Sequence, residues 1–296
     1  MTGVAGSPYP SILAGMAVGA LTRAYLLRAD FRIYPTYPHG WVTHLSLGVV
    51  AALLGAVIVP ALAAREFTAA AFVALAAQQF REVRAAERDS LAALERIERV
   101  ARGADYVEGI ARVFEARNYL SMLTAAVASG TTHVLGWQVG LAAGIFSLLV
   151  AAGFRQGRQV GGIADVRPAK LHFEETLLFV DDIQMMAVGL QESRRYLLRH
   201  GQGVILEPRD LDARATLATA GQRQAIAHDA AAAVGLRKDY GTPEFTPLVR
   251  VDLDTGRVGL VIVPIHDSIS ALVEGVRRVP LLESARRRPL GSAGTR

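Results

Sequence analysis

The sequence predicts an α-helical polytopic membrane domain of about five spans, followed by a cytoplasmic α+β domain. Hydrophobic residues make up 51% of the chain and charged residues only 20%, so it is more apolar than an average soluble protein. Long apolar runs recur through the first 154 residues. After residue 154 the composition becomes that of a globular domain, with strand and helix patterns in mixed order.

Five apolar stretches define the expected spans. A bilayer core needs about 20 apolar residues for a straight helix, or about 17 at the short end. The second and fifth stretches satisfy this requirement alone, whereas the third is short. The fourth satisfies it only if its helix begins near Ile110, and the residues 130–133 separate it from the fifth. The stretches cover residues 11–27, 41–63, 67–80, 119–129 and 134–154.

Residues 81–102 carry apolar side chains at three- and four-residue steps, which predicts an amphipathic helix. We interpret it as a solvated or interfacial connecting helix, because its heptad pattern is too short for a partner-binding coiled coil. Gly103 predicts the end of this connecting helix, and Asp105 predicts the N-cap of the next helix. The predicted segments are 1–80 for three spans, 81–104 for the connecting helix, 105–154 for the last two spans, 155–285 for the α+β domain and 286–296 for a disordered tail.

Positive charges predict the orientation in the cell membrane. Arg23 and two further arginines follow the first span, while residues 2–7 before it carry no positive charge. The positive-inside rule therefore places the 30–40 loop in the cytoplasm and the N-terminus outside. Five spans then make the connecting helix and the C-terminal domain of this multi-pass protein cytoplasmic. The missing positive n-region argues against a cleavable signal peptide.

The charged segment 106–120, which we call the signature, leads directly into the fourth apolar stretch. On a helix, Glu108, Arg112 and Glu115 form one stripe of alternating charge. Such charges are costly at the mouth of a span. They predict a self-neutralising anchor, a carboxylate that handles protons or ions, or a docking surface for the soluble domain. The signature residues of interest are Tyr106, Glu108, Gly109, Arg112, Glu115, Arg117 and Asn118, and the candidate docking partners are Arg158, Arg167 and Lys170.

The signature resembles the one that names the YIEGIA family of integral membrane proteins from endospore-forming bacteria, with Val107 in place of the family's isoleucine. Further blocks in the C-terminal domain are similar to recurrent blocks of that family, so the likeness covers roughly residues 105–284. The first three spans match it only in hydropathy. The resemblance implies a membrane protein connected with sporulation, and it implies no chemistry. The further blocks are 165–170, 221–226, 243–247 and 259–264.

The C-terminal domain contains two hairpin patterns, a single strand and three helical patterns. Alternating apolar residues flank polar turns in both hairpins. Pro208 ends the single strand, Asp210 caps the second helical pattern, and Gly221 interrupts that pattern. The predicted hairpin strands are 171–173 with 176–180 and 248–253 with 257–263, the single strand is 203–207, and the helical patterns are 183–197, 211–234 and 268–278.

Two groups of residues in this domain are candidates for chemistry. Asp254 begins an Asp-Thr-Gly sequence like that of aspartic proteases, which need two such carboxylates, so a homodimer would have to supply the second. The same residues are ordinary in a hairpin turn. His228 and Asp229 could form a base and its orienter, but neighbours on a helix point about 100° apart. We expect a polar face packed on a sheet or a partner, formed by Gln222, Arg223, Gln224, His228 and Asp229.

Several classes of site are disfavoured by composition. The chain has no cysteine, and its seven histidines lack metal-ligand spacing, so we expect no metal. It has no glycine-rich phosphate loop, and we expect no cofactor. All but two of its 32 basic residues are arginine, which is typical of a GC-rich genome, and we expect no nucleic-acid partner.

The favoured function is therefore a non-catalytic, sporulation-associated scaffold or regulator that acts through its cytoplasmic domain. Its expected partners are the lipid bilayer, a protein bound by that domain, and a second copy of the chain. One alternative is a membrane-tethered aspartic-type protease that uses Asp254 in a dimer. The other is a small-solute or ion transporter, which rests on the signature charges and on a break between the fourth and fifth spans at residues 130–133.

Overall fold

The computed structural model describes residues 8–30, 38–153, 157–237, 245 and 247–287. The chain divides into two compact units. The first unit contains residues 1–89 and 110–156, and the second contains residues 90–109 and 157–296. The unit boundaries differ from the predicted segments, because residues 90–109 belong to the same unit as the C-terminal domain.

The N-terminal half is helical, as its apolar stretches predict. Among the described residues, the segments Tyr9–Arg28 and Gly40–Ala63 are long and apolar enough to cross a membrane, and the apolar helix Trp137–Gly153 is shorter. The helices are α1 (Tyr9–Asp30), α2 (Pro38–Ala63), α3 (Phe67–Glu95), α4 (Ala104–Leu135) and α5 (Trp137–Gly153).

Helix α3 combines two segments that the sequence predicts separately. The third apolar stretch and most of the connecting helix form one helix from Phe67 to Glu95. A change from apolar to amphipathic composition does not interrupt the backbone hydrogen bonds, because they depend on helical geometry and not on side-chain polarity. The predicted boundary at residues 80 and 81 is therefore a change of surface within one helix.

Helix α4 continues through residues 130–133, so the predicted break there is wrong. The hydroxyls of Thr131 and Thr132 donate to the carbonyls of Val127 and Ala128, each at 2.7 Å, and so remain compatible with the helix. The chain turns at Gly136, whose φ of 90° lies in the left-handed region. Because α4 includes residues 134 and 135, the fifth apolar stretch yields a helix of only 17 residues.

Small residues bring the helices of the first unit close together. Ser121 of α4 donates to the carbonyls of Gly19 in α1 and Gly48 in α2, at 2.9 and 3.0 Å. Ser129 donates in the same way to the carbonyl of Ala56 at 2.6 Å. At Gly55, a Cβ atom would lie 1.9 Å from the carbonyl oxygen of Met122. Glycine, alanine and serine allow such approach between apolar helices, which otherwise lack polar groups to join them.

The second unit contains two antiparallel sheets, so the predicted α+β class is confirmed for the C-terminal region. One sheet has the order β1-β5-β7-β6 and the other β2-β3-β4. Pro168, which cannot donate to a neighbouring strand, lies in the edge strand β1. The strands are β1 (Ala164–Ala169), β2 (Leu171–Glu174), β3 (Leu177–Val180), β4 (Ile183–Ala187), β5 (Gln202–Pro208), β6 (Leu248–Val251) and β7 (Val258–Ile262).

The two sheets share an apolar core. Ile205 and Val261 of the four-stranded sheet pack with Leu178, Val180 and Ile183 of the three-stranded sheet. Side chains alternate along a strand, so the neighbours of Ile205 and Val261 face the opposite side of the four-stranded sheet, which helices of the domain contact. The sheet is thus covered on both faces, and all of β7 is buried.

Four helices complete the second unit. Asp210 caps α7 as predicted, since its side chain accepts a hydrogen bond from the Ala213 amide at 2.7 Å. Ser268 caps α9 in the same way through the Ala271 amide at 3.3 Å. The interruption predicted in the 211–234 pattern is present, but it lies at Ala218 and Thr219, and Thr219 is the N-cap of the second helix. The helices are α6 (Gln191–His200), α7 (Leu211–Leu217), α8 (Ala220–Val234) and α9 (Ile269–Arg277).

The helical pattern expected directly after Asp182 is wrong over its first part. Residues Ile183–Ala187 form strand β4, and the helix begins only at Gln191. In β4, Ile183 and Met185 are buried and alternate with exposed Gln184. A period of two places both apolar side chains in the core between the sheets, which a helix could not do. Both predicted hairpins and the predicted strand before Pro208 are present.

Some predicted features lie outside the described residues. They include the N-terminal residues 2–7, most of the 30–40 loop with Arg32, the residues 154–156, most of the 243–247 block, and residues 288–296 of the predicted tail.

We expect Gly55→Ala to destabilise the first unit by about 1–3 kcal/mol, because the added methyl group collides with the backbone of α4. Gly153→Ala in α5 is the matched control, since a Cβ atom there meets nothing within 4 Å. Thermal unfolding of the detergent-solubilised chain, followed by the fluorescence of Trp41 and Trp137, measures the difference. Equal transition temperatures for the two variants would show that α2 and α4 do not pack as described.

Candidate functional site

The candidate site lies in the second unit, where α8 contacts the chain between α3 and α4. We call residues 96–103, which link these helices, the connection. Gly103 ends it with a φ of 89°, a conformation that favours glycine. The Gly103 amide donates to Glu95 Oε2 at 3.0 Å, so the last residue of the connection is bound to the last residue of α3. Helix α4 then begins at Ala104.

Two side chains of α8 bind the backbone of the connection. His228 Nδ1 lies 2.6 Å from the carbonyl oxygen of Val100, and the Gln224 amide donates to the carbonyl oxygen of Ala101. Gln224 and His228 are four residues apart and therefore share one face of the helix. Neither carbonyl belongs to a helix or strand, so these side chains satisfy backbone acceptors that would otherwise need water.

Arg102 extends this contact from the connection back to α8. Its Nε donates to His228 Nε2 at 3.2 Å, and its guanidinium lies 4.0 Å from the carboxylate of Glu95. No sequence motif distinguishes Arg102 from the other arginines of this segment. The one local signal is that Arg102 directly precedes Gly103, the predicted end of the connecting helix.

Tyr106 joins the first turn of α4 to α8. Its hydroxyl donates to Asp229 Oδ2 at 3.2 Å, and its side chain is buried. Burial, followed by the nearby Asp229 carboxylate, raises the pKa of Tyr106. Burial also raises the pKa of Asp229, although the hydrogen bond from Tyr106 and the positive charge of Arg102 oppose this effect. A high pKa keeps the Tyr106 proton in place, so the hydroxyl remains the donor in this bond.

The start of α4 approaches the start of α8 very closely. A Cβ atom on Gly221 would lie 2.0 Å from Asp105 Oδ2, so a larger residue at this position requires the Asp105 side chain to move. Next to it, Gln222 points in the other direction and is fully buried. Its amide donates to the Pro280 carbonyl and accepts from the Leu282 amide, both at 3.0 Å. Gln222 therefore fixes the segment after α9, and it does not belong to the face that holds the connection.

Comparison with known proteins gives a family and one relative. The family described as "YIEGIA protein" matches residues 11–292. The chain belongs to the YIEGIA family. It is 44% identical over 282 residues to "Uncharacterized protein YphB" of Bacillus subtilis (strain 168), a match that covers 95% of this chain and 94% of the relative. No solved structure matches.

The signature that resembles the YIEGIA family divides between the two units. Residues 106–109 belong to the second unit and residues 110–120 to the first. In the first unit, Glu115 accepts from Arg84 Nη1 at 3.0 Å. In the second unit, the proposed docking residue Arg167 binds Asp181 at 2.7 Å and Glu207 at 3.0 Å. Glu115 and Arg167 therefore each have an ion-pair partner within their own unit.

The first-unit part of the YIEGIA signature forms a polar cluster among α1, α2 and α4. The ring of Phe114 lies 5.5 Å from the Arg23 guanidinium carbon and 4.7 Å from the ring of His44. Asn118, one turn further along α4, is fully buried, and its amide has no hydrogen-bond partner among the described residues. Arg117 is also buried, whereas Arg112 is exposed. Sequence reasoning used Arg23 only for orientation and did not predict its burial.

Asp254 lies in the exposed turn between β6 and β7. Arg214 donates to the carbonyls of Leu253 and Asp254, and Thr255 donates to the Asp252 carboxylate. These are the contacts of a stabilised hairpin turn, which is the ordinary interpretation of the Asp-Thr-Gly sequence. Across the described part of the chain, no three His, Asp or Glu side chains are grouped so that they could hold a metal ion.

The raised pKa of Asp229 predicts how pH affects the second unit. The folded state binds this proton more tightly than the unfolded state, whose carboxyl has a pKa near 3.8, so the contribution to stability falls as pH rises above that value. Asp229→Asn keeps an acceptor for Tyr106 and removes the buried charge. We expect this variant to be at least as stable as the wild type at pH 7 and less dependent on pH.

Urea unfolding of the full chain between pH 4 and about pH 8, with hydrogen exchange of the α8 amides as the readout, measures this effect. Asp254→Asn is the control, because it removes a carboxylate from an exposed turn. An Asp229→Asn variant that is clearly less stable than the wild type at pH 7 would show that the ionised carboxylate stabilises the fold.

Proposed function

We propose that the protein is a membrane-anchored, non-catalytic scaffold or regulator that takes part in sporulation through its α+β domain. The observation that carries the proposal is how α8 uses its polar side chains. Gln222, Gln224 and His228 bind backbone groups of the same unit, and Asp229 binds Tyr106. Groups that could act as a base, an acid or an orienter are thus occupied in holding the fold.

This use of α8 also bears on where a partner protein binds. Gln222 and His228 are buried, so the face that the sequence suggested for interaction is covered by the chain's own connection and by the segment after α9. We propose that a protein partner, or a second copy of the chain, binds another surface of the domain. The connection then stabilises the domain that carries that surface.

The membrane part of the proposal rests on composition. Among the residues that the structure describes, two helices are long and apolar enough to cross a bilayer, and small residues pack them against α4. We propose a multi-pass protein of the cell membrane with its N-terminus outside and its α+β domain in the cytoplasm. Arg28 at the end of the first span and Arg32 after it support this orientation, whereas Arg23 is buried within α1. The link to sporulation rests on membership of the YIEGIA family.

A genetic experiment tests the sporulation part. Deletion of the relative's gene in Bacillus subtilis is expected to lower the yield of heat-resistant spores, and expression of this chain should restore it. The Asp254→Asn variant should restore it equally, because a scaffold does not need that carboxylate. Unchanged spore yield, morphology and germination after deletion would contradict the link, and failure of Asp254→Asn alone would favour the protease alternative.

The buried polar cluster of the first unit favours transport of a small solute or ion as the second candidate. The amide of Asn118, which has no hydrogen-bond partner in the described part of the chain, and a buried arginine are costly between apolar helices, and such residues commonly serve function in membrane proteins. Against this candidate, the break at residues 130–133 on which it partly rested is continuous helix. Proton or chloride flux in proteoliposomes that is lost in Asn118→Leu would support transport over the scaffold.

A further inference from the structure

We propose that His228 is a proton-sensitive latch. Its neutral imidazole holds the connection on α8, and protonation of the ring releases it. This inference does not depend on the proposed scaffold function, because it concerns only contacts within the second unit. It adds a means by which the state of the α+β domain responds to its surroundings.

The hydrogen bonds of His228 define one protonation state. The carbonyl oxygen of Val100 can only accept, so His228 Nδ1 at 2.6 Å has to carry a proton. The guanidinium of Arg102 can only donate, so His228 Nε2 at 3.2 Å has to present a lone pair. The ring is therefore neutral, with its proton on Nδ1. Both bonds to the connection can exist only in this tautomer.

Protonation of Nε2 converts one of these bonds into a repulsion. The new N–H would point at the Nε–H of Arg102, and two positive charges would lie within hydrogen-bond distance in a largely buried place. Other bonds hold the connection without the imidazole, among them those from Gln224 to Ala101 and from Gly103 to Glu95. We therefore expect local opening of the connection and not unfolding of the domain.

The charged groups around the ring come from every segment that packs near it. Arg102 opposes protonation most directly, because it is the hydrogen-bond donor to Nε2. Asp229, the next residue on α8, favours it when ionised, but burial raises the pKa of that carboxyl. Glu98 and Arg99 of the connection line the same cavity as His228, and Glu95 at the end of α3 lies 4.0 Å from Arg102. The ring of Tyr106 on α4 lies 6.3 Å from the imidazole. Asp105 on α4 and Arg223 on α8 are the charged residues next along these two helices.

A cavity gives solvent access to the ring. It has a volume of about 250 Å³ and lies between the connection and the C-terminal part of α8. A space of this size holds several water molecules, so a proton can reach His228 without prior opening of the fold. Histidine is the side chain whose charge ordinarily changes between about pH 5 and 8, which makes it suited to such a response. The lining includes Ile97, Val100, His228, Ala231, Ala232 and Leu236.

Hydrogen exchange of the full chain in detergent micelles tests the latch. The amides of Gly103, Tyr106 and Val107 are bonded when the connection is closed, so peptides that contain them report opening. After correction for intrinsic exchange rates, we expect these amides to exchange about tenfold faster at about pH 5.5 than at about pH 7.5. The reason is the loss of the charge-assisted hydrogen bond from Arg102 to His228. Peptides from α9 serve as the internal reference and should not change.

Substitutions separate His228 from the other groups that titrate. His228→Gln can donate to Val100 and accept from Arg102 at any pH, so its connection should stay closed at both pH values. His228→Lys carries a permanent charge and should be open at both. His172→Gln, at an exposed position of β2, is the matched control and should behave as the wild type. The latch is refuted if the wild type shows no pH effect or if His228→Gln shows the same effect.

If His228→Gln does not fold, the α9 amides lose their protection against hydrogen exchange. A second variant then tests the latch. Arg102→Gln replaces the donor with a side chain that can also accept from a protonated Nε2. Its connection should therefore remain closed at about pH 5.5, with protection within about twofold of its value at pH 7.5. A tenfold loss in this variant would show that the charge of Arg102 is not the cause of opening.

Discussion

The structure of the second unit depends on how two backbone carbonyls are satisfied. Val100 and Ala101 lie outside helices and strands, and α8 supplies the donors that their carbonyls need through His228 and Gln224. This requirement fixes which face of α8 points toward the connection. It thereby sets the position of Gly103, from which α4 begins, and brings Tyr106 within reach of Asp229.

The same contacts give a structural role to residue types that often serve catalysis. A histidine, an aspartate and a tyrosine lie together, but each hydrogen bond among them serves to hold α8, the connection or the start of α4. Because these side chains are buried, removal of a hydrogen-bond partner is costly. A polar group left unsatisfied inside a protein lowers the free energy of unfolding by about 1–3 kcal/mol. The helices also approach closely at Gly221, where an added side chain would have to displace that of Asp105.

The first unit follows a different physical rule. Its helices offer apolar surfaces on most sides, so close contact comes from glycine, alanine and serine, whose small size lets a hydroxyl reach a neighbouring carbonyl. Polar residues are then concentrated where α1, α2 and α4 meet, around Phe114 and Asn118. In both units the part of α4 that resembles the family signature supplies polar groups to a packed helix surface.

Features that depend on neighbours in the chain can be predicted from the amino-acid sequence. The apolar stretches predict the helices, Asp210 caps α7, and alternating apolar residues predict both hairpins. Three other features follow from the packing of the folded chain: residues 183–187 form a strand, α4 continues to Leu135, and α8 binds the connection more than 120 residues away in sequence. Caps and turns are fixed by hydrogen bonds between residues three or four apart, which a local pattern reveals. The partner of a buried polar side chain is chosen by the packing of distant segments, and no local pattern contains that information.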